Sequence, residues 1–460
     1  MIFPINILQL LVTYPDTEVT SINILIKNAD VFDGKNEALK KKSNIVIKDD
    51  KVVEIFQGDV NEAAFEKVYD AAGYTVIPGL TDSHIHFSFT APVATCATYR
   101  FDEFVLRSAR YAEEMLMRGI TSARDAGGVT VGLKNCIDNG MLKGPRIFPS
   151  NGAIMQTSGH GANTYYSDFD QEKGDTNKTN NSGMFVIANG RDEMLRRVRE
   201  QLYLGASQIK LMAGGGMGSF FDPLSTVQFT LDELKAAVDA ASDYGTYVMA
   251  HLYIPKSIER ALDAGIMSYE HATLMDENNA RRIQEKGAWI CVCPQFGGNG
   301  GQQVKRSRPY PVLLGTPVKK YKPSIEIMAN GLLNQVELIN KYDLNVVYGT
   351  DQFREEYVQD EPKDRQLADL RKYKEFFGSY RGLKMATGNA YEVSKMTTFQ
   401  NPYPDGKIGV LEEGAFADLL FVKGNPVQDL EILCDPDNVK LVMKGGQVYK
   451  DTRNGHINLL

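Results

Sequence analysis

The middle of the chain alternates apolar, strand-like runs with amphipathic helical stretches, and this alternation restricts the fold more than any other feature. The strand-like runs end at His84 or His86, Asp125, Asn151, Met212, His251, His271, Cys293 and Asp351. Between them lie helix-period stretches such as Phe104 to Arg118, Glu193 to Leu204, Leu231 to Tyr244, Lys256 to Ala264 and Asn278 to Lys286. Eight strands alternating with helices over roughly 300 residues predict an α/β chain folded as a (β/α)8 TIM barrel with insertions. A doubly wound open sheet is the second possibility, disfavoured because no G-x-G-x-x-G fingerprint follows the first strand.

The two ends have a different texture. Ile22 to Lys27, Asn44 to Lys48 and Val52 to Phe56 read as short strands separated by turns, and the pattern returns in Ala417 to Lys423 and Val439 to Tyr449. Two β-rich ends around a different middle predict a small β-sandwich domain built from 21–76 and 401–451. The barrel then covers 77–400, and 1–20 is an N-terminal extension. Residues 1–14 are apolar, but no Lys or Arg precedes them and no small-residue cleavage site follows. The stretch is also too short to span a membrane as a helix. A cytoplasmic protein is the expectation, with export left open by the apolar start.

Composition narrows the class. Of 460 residues, 43% are hydrophobic, enough for a large core, and a formal charge of -7 without a basic stripe argues against a nucleic-acid partner. Five cysteines, odd in number and sparse, argue against a disulfide framework. Cys291 and Cys293 could be a metal-binding pair, but on one face of an apolar strand with no second pair they read as core. The segments 163–182 and 296–321 are long for plain connections and follow barrel strands, which suits lids or substrate loops or else local disorder.

The histidines carry the chemistry. There are six, and five of them (His84, His86, His160, His251 and His271) sit at or just beyond the tip of a predicted strand. That rim is where barrels place catalytic groups. His84 and His86 are two apart on a strand, so both imidazoles face one side, which in a barrel is the interior.

The motif V-I-P-G-L-T-D-S-H-I-H-F, ending at Phe87, resembles the first-strand signature of the amidohydrolase superfamily. The resemblance continues through G-I-T-S-A-R-D-A-G-G, I-K-L-M-A-G-G-G, V-M-A-H-L-Y, S-Y-E-H-A, V-V-Y-G-T-D and the closing G-V-L-E-E-G-A-F-A-D-L-L-F-V. It spans about residues 22 to 450, in the expected order. Within the superfamily it is most similar to the Xaa-Pro and Xaa-Arg dipeptidases related to imidazolonepropionases.

The resemblance implies a binuclear site. His84 and His86 would hold one divalent ion and His251 and His271 the other. Lys210 would bridge them as a carbamate derived from carbon dioxide, and Asp351 would bind the first ion and shuttle a proton. Physical chemistry points the same way for Lys210. Two divalent ions about 3.5–4 Å apart repel unless anions lie between them, and a carbamate supplies one charge and two oxygens. A lysine on an apolar strand is desolvated toward the neutral amine that reacts with carbon dioxide. Water bridging the ions would then act as a hydroxide nucleophile, with Asp351 passing its proton to the departing amine. Zinc is the expected metal, although His, carbamate and Asp also accept manganese or iron.

Similarity to the dipeptidases further implies that His160 and Tyr253 engage a substrate α-carboxylate; otherwise they are a supporting histidine and a packed tyrosine. Arg124 and Asp125 read equally as a structural ion pair or as substrate contacts. Gly214 to Gly216 lacks the Gly-Lys-Ser/Thr ending of a phosphate loop and instead reads as a close backbone approach to metal or substrate. The expected activity is hydrolysis of a peptide or amide bond in a small carboxylate-bearing molecule, a dipeptide or an N-acyl amino acid. Two alternatives accompany it: a cyclic-amide hydrolase of the imidazolonepropionase type, which holds one metal and lacks the lysine, and a non-catalytic assembly protein on the same fold. A homo-oligomer is possible and a membrane partner is not expected.

Overall fold

The computed structural model describes residues 23–90, 96, 99–128, 130–161, 169–170, 174–175, 183–217, 222–294, 325–352 and 365–453. The apolar start, His456 and the 296–321 segment lie outside the described residues. So does most of 163–182, of which β10 (Phe169–Asp170) and β11 (Gly174–Asp175) pair antiparallel.

Both ends of the chain build one mixed sheet. From the N-terminal side come β1 (Asn23–Val31), β2 (Lys40–Lys48), β3 (Lys51–Gln57), β4 (Lys67–Asp70) and β5 (Tyr74–Pro78). From the C-terminal side come β18 (Leu419–Lys423), β19 (Val439–Lys444) and β20 (Gln447–Asp451). The hydrogen-bonded order is β20-β19-β18-β5-β1-β2-β3, with β4 beside β1. β18 runs antiparallel to β5 in register Leu419 to Pro78, which joins the two ends. Its core holds β-branched and large apolar side chains such as Ile24, Ile45, Val76, Leu419, Phe421 and Leu441, residue types that suit a pleated, half-buried surface.

The middle of the chain forms parallel strands alternating with helices. β6 (Leu80–Ile85), β7 (Ile120–Asp125) and β8 (Arg146–Phe148) make one parallel sheet. β9 (Ala153–Met155), β12 (Phe185–Ile187), β13 (Ile209–Met212), β14 (Val248–Leu252), β15 (Ser268–His271), β16 (Trp289–Cys291) and β17 (Asn345–Val347) make another, in the order β12-β9-β13-β14-β15-β16-β17. The predicted third strand is therefore two short pieces, β8 and β9, with Asn151 between them in left-handed conformation (φ 56°). Backbone bonds link the sheets at both margins. Ser83 N donates to Tyr348 O at 2.8 Å and Asp351 N to His84 O at 2.8 Å. Toward the other margin, Ser207 N, just before β13, donates to Pro149 O, just after β8, at 2.7 Å.

The helices fall close to their predicted spans. Phe101–Met117, Arg191–Tyr203, Leu231–Asp243, Pro255–Ala264 and Glu277–Lys286 each bury one apolar face against the strands. Their ends follow local chemistry. Thr230 and Asp276 cap two helices through reciprocal side-chain bonds, and Gly265 and Gly287 close two in the left-handed conformation. Among the described residues no helix is long and apolar enough to cross a membrane.

Candidate active site

The strand tips converge on a buried cluster of imidazoles. The His84 ring lies 5.4 Å from His86 and 5.1 Å from His271, and His271 lies 4.6 Å from His251. Asp351 closes the cluster. Its Oδ1 is 3.3 Å from His86 Nε2 and 3.6 Å from His84 Nε2, and its Oδ2 is 3.9 Å from His271 Nε2. Donor atoms of His84, His271 and Asp351 all lie within 4.8 Å of one another.

Local backbone geometry aims these groups. In β15, Tyr269 packs in the core on the helix side, while Glu270 turns to His84 and Arg124. Strict alternation would send His271 back toward Tyr269's side. Left-handed backbone at His271 (φ 69°) and Ala272 (φ 50°) ends the strand and turns the imidazole inward. Asp351 has the same device at φ 50°. Such conformations cost about 1–3 kcal/mol for non-glycine residues and persist where the surroundings hold them. Gly349 is needed for closeness alone: a Cβ there would stand 2.3 Å from Cys291 Sγ and 2.8 Å from His84 Cβ.

The cluster fits divalent cations by its unsatisfied atoms. The Nε2 atoms of His84 and His251 are buried and make no hydrogen bond. Leaving them so costs free energy unless a partner arrives. The other nitrogen of each HxH imidazole is anchored: His84 Nδ1 donates to Glu270 Oε2 at 2.6 Å and His86 Nδ1 to Gly127 O at 2.8 Å. Such anchoring fixes the tautomer that presents Nε2 as a metal ligand. Burial, then the Lys210 charge, pulls His84 down to about 4. Burial takes His271 down to about 3 and His251 well below its ordinary value. Burial thus favours the neutral, ligand-competent form of all three imidazoles.

Lys210, from β13, is 1% exposed, and burial pulls its ammonium below the ordinary lysine range. Burial alone would raise the Asp351 carboxyl, but His84, His86 and His271 hold it well below the usual carboxylate range.

His160 and Tyr253 border the same cluster. The His160 ring stacks on His251 at 3.9 Å and 11°, and Tyr253 stacks on His271 at 4.9 Å and 6°. Asp222 Oδ2 accepts from His160 Nδ1 at 3.0 Å and from Gly216 N at 2.6 Å. A Cβ on Gly216 would stand 2.0 Å from the His160 ring, so the glycine there lets the backbone come close to that imidazole.

Two expectations are corrected. Arg124 and Asp125 are not an ion pair. They are consecutive in β7, so their side chains point oppositely, and Arg124 Nη2 binds Glu270 Oε1 at 3.0 Å while Asp125 accepts from Thr130 Oγ1 at 3.1 Å. Cys291 and Cys293 are both buried in one apolar cluster with sulfurs 3.7 Å apart, as a core pair would be, but Cys293 lies beyond the strand rather than on it. β16 ends at Cys291, and Cys293 follows at φ 46°, beside His84. Sequence reasoning missed Glu270, although it directly precedes His271 and is an acidic residue in a strand of otherwise buried positions.

A profile described as the amidohydrolase family matches residues 75–449. Ochratoxinase from Aspergillus niger is 29% identical over 395 residues, covering 82% of this chain and 75% of that one. Among solved structures, a prolidase complexed with N-methylphosphonate-L-proline superposes with a TM-score of 0.80 at 29% identity, covering 93% of this chain and 99% of the other. A Xaa-Pro dipeptidase with methionine bound in its active site superposes at 0.77 and 26% identity, with the same coverage.

Proposed function

The chain belongs to the amidohydrolase family and is a hydrolase of carbon–nitrogen bonds, and on that footing we propose that it cleaves the amide or peptide bond of a dipeptide or N-acyl amino acid. The observation that carries this reading is Asp351, whose carboxylate lies within 3.9 Å of three imidazole nitrogens, beside His160 and Tyr253. His84, His86 and Asp351 would hold one divalent ion, His251 and His271 the other, and Lys210 would bridge them as a carbamate. Zinc is the expected metal. Bound there, the ions would acidify a water and polarise the scissile carbonyl.

The chain's own residues do the rest. Lys210, kept toward its neutral amine by burial, would add carbon dioxide: an N–C bond forms, one proton leaves to solvent, and the neutral amine becomes an anion between the ligand sets. Asp351 takes a proton from the attacking water and gives it to the departing amine nitrogen, a transfer that contributes typically 10²–10⁴-fold. His160, held by Asp222, and the Tyr253 hydroxyl donate to the substrate carboxylate without competing for metal. The relatives support this substrate class, since one is complexed with a proline derivative and another binds methionine, and both molecules carry a carboxylate.

The scaffold we infer is a closed (β/α)8 barrel. The backbone bonds from Ser83 to Tyr348 and from Asp351 to His84 support closure of the two parallel sheets. Residues 77–400 would form this barrel. Residues 21–76 with 401–451 would form a small β-sandwich around the Ile24–Phe421 core, with 1–20 as an extension.

A panel of dipeptides and N-acyl amino acids, assayed with metal content measured on the same sample, tests the reading. Cleavage of at least one class by metal-loaded protein is expected, and no cleavage across the panel would reject the substrate class.

A further inference from the structure

Cys291 and Cys293 lie buried beside His84, and hydrolysis leaves them without a role. Three adjacent strands, β15, β16 and β17, each carry a left-handed, non-glycine residue at or just past their ends: His271 at φ 69°, Cys293 at φ 46° and Asp351 at φ 50°. Two of those three are proposed metal ligands, and the same backbone device sets Cys293 beside His84. Two cysteines that merely fill a core have no need of this conformation, since an apolar contact is satisfied by ordinary strand geometry.

The distances match a chelate. Cys291 Sγ and Cys293 Sγ are 3.7 Å apart. Two thiolates on one tetrahedral zinc-like ion, each about 2.3 Å from it, stand about 3.8 Å apart. A His84 nitrogen lies within 4.8 Å of both sulfurs, and all three residues are buried. Ala126, Met249 and Val347 pack in the same buried cluster as the two cysteines, and the charges of Arg124, Glu270 and Asp351 lie close enough to act on the sulfurs. Gly349 supplies the space, because a Cβ there would press on both Cys291 Sγ and His84.

We propose that His84, Cys291 and Cys293 form a second cation site, selective for soft divalent ions and sharing His84 with the His84–His271–Asp351 set. This rests on the metal centre proposed above. Soft thiolates select thiophilic ions, whereas imidazole with carboxylate also accepts harder ones such as manganese. Each thiol gives its proton to solvent as it binds. With Nδ1 committed to Glu270, His84 has one nitrogen left and can serve one ion at a time. A soft ion on the cysteines therefore removes a ligand from the hydrolytic set.

The test uses the full chain stripped of metal and titrated with cadmium and, separately, with manganese. Cadmium is expected to produce a thiolate-to-metal charge-transfer absorbance. Cys293→Ser and Cys291→Ser should weaken cadmium binding at least about tenfold and leave manganese binding within about twofold. Added cadmium should also lower the manganese bound per chain. Absence of the absorbance in wild-type protein that binds manganese normally would overturn the cysteine site and leave the hydrolytic centre standing. Failure to bind manganese alongside a clear cadmium band would count against that centre and for the cysteine site. Full occupancy by both ions together would overturn the sharing of His84. The wild-type titration decides the matter even if a variant folds poorly.

Discussion

Glu270 Oε2 accepts a 2.6 Å hydrogen bond from His84 Nδ1 while the same carboxylate pairs with Arg124 Nη2 at 3.0 Å. Burial would push this carboxyl up, yet Arg124 first, then His84 and Lys210, hold it well below the usual glutamate range. An anion fixed in this way orients the His84 ring with Nε2 toward Asp351. Arg124 is held in turn by Ser83 O, Tyr247 Oη and Ser268 Oγ, so the orientation is transmitted from β6, β15 and the residue before β14.

Glu270→Gln separates orientation from charge. The amide oxygen can still accept from His84, but the buried Arg124 loses its counter-charge, which costs roughly 3–5 kcal/mol. Metal affinity should fall about 10–100-fold. Thermal melting and competition with a chelator measure the two effects. A lowered melting temperature with unchanged metal affinity would reduce Glu270 to a structural partner of Arg124.

Asp351→Asn retains an oxygen ligand and removes the proton carrier. Turnover should fall by about 10²–10⁴-fold with KM little changed. Steady-state kinetics on the best substrate from the panel, with metal content matched to wild type, check this.

Gly216→Ala drives a methyl into the His160 ring, which the new Cβ would approach to 2.0 Å. If His160 contacts the substrate carboxylate, KM rises while kcat changes less. An equal loss in both would place His160 among the groups that act only in the transition state.

Much of this was legible in the sequence because periodicity and local signals agree there. The helix from Leu231 begins at a Thr230 cap with Glu233 three residues on, and the predicted span differs by one residue. The HxH pair and His271 were visible as strand-tip residues. What alternation could not give is where the backbone departs from it. Left-handed turns at His271, Cys293 and Asp351 decide which side chains enter the pocket, and nothing in those residue types demands a positive φ. Glu270 was hidden for a related reason. Its partner His84 is 186 residues away, so only the folded sheet brings them together.

Lys444 tests an electrostatic feature far from the imidazoles. It is 9% exposed, its Nζ donates to Gly144 O at 2.6 Å, and burial lowers its pKa from 10.5 to about 8. Above 10.5 the group is neutral in both states. As pH falls from 10.5 toward 8 the unfolded chain takes up the proton first, so folding stability declines, by at most about 3 kcal/mol, and levels off below 8. Lys444→Met should remove that slope. Denaturant titrations of both proteins from pH 7 to 10 should show the variant's relative stability greatest at pH 7 and shrinking as pH rises. A constant difference would mean Lys444 titrates normally.

A pair of divalent ions bridged by a modified Lys210 is read most directly from the metal per chain of wild type and Lys210→Met, with the native mass of each. Two ions and the added mass of one carbon dioxide are expected in wild type, with the variant losing that mass, at least one ion and its hydrolytic activity. A wild-type protein that holds one ion, carries no added mass and turns over as fast as Lys210→Met would contradict the bridged pair.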